Sequence, residues 1–230
     1  MKKLHVISRA AFMALCLLAA AGAVHAQDPC FEPDNGTGTV TLPPAGCAYL
    51  TADQVHMIID GLPADTQIIL APIHEDFICR KLGQCGTPGG PLGGELEDFT
   101  STARFQLSGT GQLAGWTRTV AIPLAVQTAT APRRRGATIQ SFKTDMRRIQ
   151  GSITNDPDFD LLEIVGGTDN GSSSPGTTTL TRQANGTYRV DSEFTVGYKI
   201  RFVGAAGGRV AGYSGTTGST VKMKAVKLKK

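Results

Sequence analysis

Residues 192–202 read SEFTVGYKIRF, and apolar and polar side chains alternate along this stretch with a period of two. An extended strand places successive side chains on opposite faces, so one face of this segment is apolar and the other is polar. A helix, with its period of about 3.6 residues, would spread both kinds around its circumference. The sequence therefore predicts a half-buried antiparallel strand. Its inward residues are Phe194, Val196, Tyr198, Ile200 and Phe202, and its outward residues are Glu193, Thr195, Lys199 and Arg201.

The flanks of this strand carry signals of their own. Upstream, Asn185-Gly186 follows a predicted strand at 177–183, and Asn-Gly is typical of a two-residue hairpin turn. Downstream, a last strand is predicted near 219–228, where lysines alternate with apolar residues. Lysine side chains discourage pairing with another strand, so we expect this last strand to form an exposed edge of the sheet.

Further strands are predicted upstream, between turns rich in glycine and proline. They lie at 38–42, 55–60, 66–71, 100–108, 120–126, 139–153 and 161–165. A single helical turn is predicted at 51–54, and residues 83–94, with six glycines and two prolines, are predicted to be a loop without regular structure. We therefore predict an all-β protein, a single two-sheet antiparallel β-sandwich of the jelly-roll or Ig-like kind, with about eight to ten strands.

The first 26 residues have the pattern of an export signal of the bacterial type. Basic residues come first, an uncharged apolar run of about 15 residues follows, and Val24-His25-Ala26 fits a cleavage site. The apolar run is shorter than the ~20 residues that a membrane-spanning helix needs. We therefore expect residues 1–26 to be a cleaved signal peptide and 27–230 to be one secreted, periplasmic or cell-surface domain, with no membrane span.

Four cysteines follow the predicted signal, at positions 30, 47, 79 and 85. An even number in an exported chain favours two disulfides, and three pairings are open. Proximity in the sequence favours Cys30 with Cys47 and Cys79 with Cys85. A zinc site is the competing interpretation, but the spacings lack the short Cys pairs of zinc ribbons.

Loss of the predicted signal changes the net charge of the chain. The full sequence has 23 Lys and Arg against 19 Asp and Glu, and Lys2, Lys3 and Arg9 lie within the signal. This leaves 20 basic residues against 19 acidic ones, a net charge of about +1. A chain this close to neutral gives no reason to expect a nucleic-acid partner.

Several short segments together resemble a family of uncharacterised, secreted, β-rich proteins from environmental bacteria. The resemblance extends over nearly all of the chain from about Cys47 onward. It implies a β-rich fold and export, and it implies no activity and no functional residue. The segments that carry it are Tyr49-Leu-Thr, Val55-His-Met-Ile-Ile-Asp-Gly-Leu-Pro63, Leu92-Gly-Gly-Glu95, Gly109-Thr-Gly111, Thr144-Asp-Met146, Asp156-Pro-Asp-Phe159, Ser174-Pro-Gly176 and Val190-Asp-Ser192.

Two groups of residues have the composition of a metal site. His74 and Glu75 stand next to each other, and a hairpin that sets His56 opposite Leu70 would bring a second imidazole near them. The competing interpretation, which we favour, makes His56 a hydrogen-bonded strand residue and His74 a loop cap. Asp156, Asp158 and Asp160 are spaced like the first ligands of a calcium loop, but such carboxylates more often belong to turns and caps.

Other residues have the chemistry of a carbohydrate-active protein. Glu95, Glu97 and Asp98 follow the glycine-rich loop and offer paired carboxylates for glycoside hydrolysis. Trp116 is either an exposed platform for a sugar or, as we favour, part of the core. The basic run at 133–135 is either a contact for an acidic polymer or, as we favour, a solvated loop.

The function expected from these observations is that of a non-enzymatic extracellular module, structural, adhesive or binding, whose ligand the sequence does not identify. No Gly-x-Ser-x-Gly nucleophile motif is present, and we expect no cofactor other than a structural calcium ion. A polymer of the cell envelope or the extracellular space is the class of partner that we expect. The alternative is a secreted hydrolase or other carbohydrate-active protein.

Overall fold

The structure, a computed structural model, describes residues 28–51, 56–80 and 85–228, with the backbone alone at 56 and 57. The predicted signal peptide and most of the predicted helical turn lie outside the described residues. Within them the regular structure is β-strand, with two short 3-10 turns at Gly111–Leu113 and Thr168–Asn170. The strands are β1 (Cys30–Pro33), β2 (Ala48–Thr51), β3 (His56–Ile58), β4 (Ile68–Cys79), β5 (Gly86–Pro88), β6 (Glu95–Gly109), β7 (Thr117–Thr130), β8 (Ile139–Thr154), β9 (Phe159–Gly166), β10 (Pro175–Arg182), β11 (Thr187–Gly204) and β12 (Ser214–Val226).

All of these strands pair antiparallel in one continuous sheet, and the sheet closes on itself. The pairing runs β4–β2–β12–β11–β10–β8–β7–β6, and β6 pairs back onto β4. Strand β9 bridges β8 and β11 beside β10, while β3 lies on β4 beside β2. The all-β antiparallel class is confirmed, and the described residues contain twelve strands where the sequence predicted eight to ten.

Closure of the ring covers part of the exposed edge that the sequence predicts at the last strand. Strand β12 pairs with β11 on one side, and its residues Met223 to Val226 pair with β2 on the other. The prediction of an edge is wrong for these four residues, because lysines alternate outward on any strand with one wet face. Here Lys222 and Lys224 lie on the outer face, and both form ion pairs with Glu193 of the neighbouring strand.

The side-chain alternation along the ring is confirmed, and it defines the interior. The five predicted inward residues of β11 are each at most 6% exposed, while its outward residues face solvent. The interior at one end of the ring is filled by aromatic and aliphatic side chains. Trp116, Phe159, Phe202, Ile122 and Leu162 are among them, and we call this the apolar end.

The opposite end of the ring is covered by residues 34–47, which we call the N-terminal segment. The strand predicted at 38–42 is absent, although Val40 and Leu42 are buried in a second apolar cluster as a strand pattern would require. Gly36 and Gly38 have φ angles of 87° and 76°, a left-handed conformation that favours glycine. The chain bends at these glycines and crosses the end of the ring instead of joining the sheet.

Both predicted disulfides are confirmed. Cys30–Cys47 joins β1 to the far end of the N-terminal segment, and Cys79–Cys85 joins the end of β4 to the residue before β5. Strand β5 itself lies inside the stretch that was predicted to be a loop, and this prediction was wrong for Gly86–Pro88. The three residues pair with Glu95 to Glu97, because β6 extends far enough to offer them backbone partners.

Candidate functional site

A layer of buried polar side chains lies inside the ring beneath the N-terminal segment. Most of its members line one cavity of about 20 Å³, with Leu42 and Pro43 on the side of the N-terminal segment and Phe77 and Phe99 among the other walls. We call these residues the polar layer, and each of them is at most 6% exposed. They are Tyr49, His74, Glu97, Ser101, Thr128, Thr144, Thr178 and Ser192.

Hydrogen bonds join most of these side chains to one another. The Tyr49 hydroxyl donates to Ser192 Oγ over 2.9 Å, and Ser192 Oγ lies 2.7 Å from Thr178 Oγ1. His74 Nε2 lies 2.6 Å from Ser101 Oγ. Burial raises the pKa of the Tyr49 phenol, so this group stays protonated. The layer is therefore a network of mostly neutral groups, most of which are hydrogen-bonded to a neighbour.

His74 is a core residue, and neither of its sequence interpretations anticipated this. Its ring packs edge-on against Phe77 with centroids 4.9 Å apart, and burial lowers the pKa of His74 to about 4. Its Nδ1 has no hydrogen-bond partner among the described residues. The interpretation of His74 as a loop cap is wrong, because the strand predicted at 66–71 continues as β4 to Cys79 and carries the histidine inward.

The structure separates His74 from Glu75, its proposed partner in a metal site. Adjacent residues of a strand face opposite sides, and Glu75 lies on the outer face of β4 in an ion pair with Arg104 at 2.7 Å. The predicted register of the hairpin is confirmed, since His56 pairs with Leu70. The His56 side chain lies outside the described part of the chain.

Glu95 and Glu97 converge on a single arginine. They are two residues apart on β6, and both contact Nη2 of Arg133, Glu97 through Oε1 at 3.2 Å. Thr128 Oγ1 donates to the other Glu97 oxygen over 2.7 Å. The Arg133 side chain is only 5% exposed, so the interpretation of this residue as part of a solvated loop is wrong. Asp98 lies on the opposite face and pairs with Arg80 at 3.1 Å.

The protonation of Glu97 is decided by its burial. Burial raises the pKa of Glu97 to about 7, although Arg133 and the Thr128 hydroxyl act in the opposite direction. The space between Glu95 and Glu97 is occupied by the Arg133 guanidinium. Paired carboxylates that hydrolyse a glycoside need that space for the scissile bond. The two carboxylates therefore hold an arginine in place, and the only signal of this arginine in the sequence is its charge.

Two of the three candidate calcium ligands form ion pairs and accept hydrogen bonds from backbone amides. Asp156 and Asp158 both form ion pairs with Arg118, the latter over 2.7 Å. Asp156 Oδ1 also accepts the Asp158 amide at 3.0 Å, as in a turn, and Asp158 Oδ1 accepts the Arg209 amide at 2.8 Å. Asp160 is exposed on β9. The structure thus brings two of the three carboxylates together, around a guanidinium that lies 38 residues upstream of Asp156.

Trp116 and the cysteines are the remaining candidate residues. Trp116 is 9% exposed and packs on Phe159, so the interpretation of Trp116 as a core residue is confirmed. Within the described ranges, the one group of three close His, Cys, Asp or Glu ligand atoms is Cys30, Glu32 and Cys47. Its two sulfur atoms are joined in a disulfide, which leaves a single carboxylate.

Comparisons with known proteins identify no relative of this chain. No protein-family model matches the chain, and no curated protein and no solved structure is significantly similar to it. Among the residues that the structure describes, no helix has the length and apolar character needed to cross a membrane.

Proposed function

We propose that this chain is a non-enzymatic extracellular module, structural, adhesive or binding, whose partner contacts its outer surface. The observation that carries the proposal is the filling of the ring. Two cavities inside it hold about 20 and 30 Å³, which is room for one or two water molecules. His74 and Glu97 lie beside the smaller cavity and are hydrogen-bonded to protein groups, so a substrate has no access to them in this conformation.

The outer surface offers hydroxyl groups and paired charges in regular rows. Thr177, Thr179 and Thr181 stand on the outer side of β10, and Thr179 Oγ1 lies 3.0 Å from Ser141 Oγ of the next strand. Such a surface suits a hydrated, hydroxyl-rich partner better than an apolar one. A polymer of the cell envelope or of the extracellular space is therefore the partner class that we propose.

Export of the chain is part of the same proposal. We propose that residues 1–26 direct secretion and are removed, and the two disulfides support an oxidising destination.

We also propose that the ring is flattened into two packed layers in the manner of a sandwich. The support is the 30 Å³ cavity, which side chains from opposite parts of the ring line together, among them Phe105 of β6 and Val196 of β11.

The test is co-sedimentation of the protein, recovered from the periplasm after export, with isolated cell envelopes and insoluble polysaccharides. We expect the protein to sediment with at least one of these polymers and to release no reducing sugar from it. Glu97→Gln is the matched variant, because it removes a carboxylate and preserves shape. Release of reducing sugar that the wild type shows and Glu97→Gln lacks would contradict the proposal in favour of a hydrolase.

A further inference from the structure

A pocket opens on the surface where the N-terminal segment meets residues 131–138, which we call the arginine loop. Its volume is about 210 Å³, and Thr39, Thr41, Glu95, Arg133 and Arg135 contribute to its walls. Unlike the cavities of the interior, it is open to solvent.

The two walls of the pocket are tied to each other by hydrogen bonds. The Gly38 carbonyl accepts the Gly136 amide at 2.8 Å, Gln140 Nε2 at 2.7 Å and the Tyr188 hydroxyl at 2.9 Å. Arg133 Nη1 donates to the Val40 carbonyl over 2.8 Å. The pocket is therefore pre-formed, which lowers the entropy lost when a ligand binds.

Two buried polar atoms in the walls have no hydrogen-bond partner among the described residues. They are Thr39 Oγ1, in a residue that is 1% exposed, and Arg133 Nε, in a side chain that is 5% exposed. Nearly all buried polar atoms in folded proteins are hydrogen-bonded, and an unmet one destabilises the fold. Both atoms are closed off from solvent, so contacts with a ligand fall to the exposed polar groups of the walls, among them Thr41 and Arg135.

The charges around the pocket decide the class of this ligand. Arg133 and Arg135 both pair with Glu95, Arg135 through Nη2 at 2.8 Å, and Arg133 also contacts Glu97 at 3.2 Å. An anionic ligand would have to compete with the Glu95 carboxylate, which already pairs with both guanidinium groups in the same pocket. A neutral ligand with many hydroxyl groups fits better, because each hydroxyl both donates and accepts.

We propose that this pocket binds one neutral sugar ring of a polysaccharide. The exposed Arg135 side chain and the Thr41 hydroxyl donate to the sugar, Glu95 accepts from it, and Pro88 contacts its C–H surface. The pocket is smaller than the ~300–1,000 Å³ that encloses a drug-sized ligand, so the rest of the polymer stays outside. The inference rests on the proposed function and identifies its site and ligand class.

The test is calorimetric titration of the exported protein with neutral oligosaccharides, namely tetramers of glucose, mannose, xylose and N-acetylglucosamine. Oligogalacturonate serves as the charged comparison. We expect at least one neutral tetramer to bind and the charged oligomer to bind more weakly. Since single hydrogen bonds are removed, Thr41→Val should weaken the binding about fivefold and Arg135→Gln at least about tenfold.

Matched controls separate the pocket from general effects on charge and folding. Arg134→Gln removes the same charge from the neighbouring position, and Thr195→Val removes an exposed hydroxyl of β11, and both should bind like the wild type. Unchanged binding in Thr41→Val and Arg135→Gln, or preference for the charged oligomer, would overturn the inference and leave the proposed function intact. A wild type that binds no envelope polymer and no tetramer would overturn both.

Discussion

The two ends of the ring are built on the same strands and buried to the same extent, yet their chemistry is opposite. Strand β11 contributes Ser192 to the polar layer, 4% exposed, and Phe202 to the apolar end, 0% exposed. Strand β6 likewise contributes Glu97 to the polar layer and Phe105 to the apolar end. Burial stabilises apolar side chains directly, whereas a buried polar group must regain in hydrogen bonds what it loses in hydration. The stability of the molecule should therefore come mainly from the apolar end.

The largest effect is expected from Phe202→Ala at the apolar end. The substitution leaves a cavity where an aromatic ring is fully buried, and it should lower the free energy of unfolding by about 3–5 kcal/mol. Urea titration measures the loss. Arg201→Ala, at the exposed neighbouring position, should change it by less than about 0.5 kcal/mol. Equal losses in the two variants would show that this strand has no wet face.

The second effect is pH-dependent and belongs to Glu97. The pKa of Glu97 is about 7 in the folded protein against an ordinary value of 4.5, so the folded state holds this proton more tightly than the unfolded chain. The resulting stabilisation is fully present below about pH 4.5 and is lost as the pH rises through 7, and it amounts to about 3 kcal/mol. Glu97→Gln does not titrate, so its stability relative to the wild type should increase by up to that amount between about pH 4.5 and pH 8.

Urea titrations at several pH values measure this difference, and His74→Gln is the control of opposite sign. Burial lowers the pKa of His74 to about 4 from 6.5, so its stabilisation is present above pH 6.5 and is lost as the pH falls through 4. The stability of His74→Gln relative to the wild type should thus increase toward acid. If the difference in the free energy of unfolding between Glu97→Gln and the wild type stays constant from about pH 4.5 to about pH 8, Glu97 is solvated in the folded protein.

The smallest effect is expected from Tyr49→Phe in the polar layer. The ring keeps its contacts with Phe77 and Phe194, and Ser192 keeps Thr178 as a partner, so only one neutral hydrogen bond is lost. The free energy of unfolding should fall by about 1 kcal/mol, as measured by urea titration.

Tyr213→Phe is the control for this change. Its hydroxyl bonds Gln112 at 3.2 Å on the exposed surface, and its loss should have almost no effect. A loss in Tyr49→Phe as large as that in Phe202→Ala would mean that the hydroxyl network, and not apolar packing, holds the ring together.

Features that depend on near neighbours in the chain could be predicted. The inward residues of β11, the turn at Asn185-Gly186 and the two disulfides follow from alternation, local backbone preference and short loops. The register of His56 with Leu70 follows from the length of the connection between the two strands. In each case the relevant partners are close in sequence, so few arrangements compete.

The candidate site could not be predicted in the same way. The sequence identifies Glu95 and Glu97 as paired carboxylates, but their partner Arg133 lies more than 30 residues away, across a hairpin. It identifies His74 as an imidazole, but the neighbours of His74, Ser101 and Tyr49, come from other strands of the ring. The residue types indicated the chemistry of these side chains. Only the placement of distant strands decided whether the side chains face a ligand or the core.

The sequence by itself determined that this protein consists of amphipathic strands with two short-range disulfides, because period, turn preference and loop length are local properties of a chain. The tertiary structure alone decided that the strands close into a ring, that the N-terminal segment covers one end of it, and that the arginine loop and this segment form a pocket. Closure depends on β4 pairing with β6 and β2 with β12, the latter across more than 170 residues. Such contacts join strands that are far apart in the chain, and they depend on the curvature and register of the strands between them.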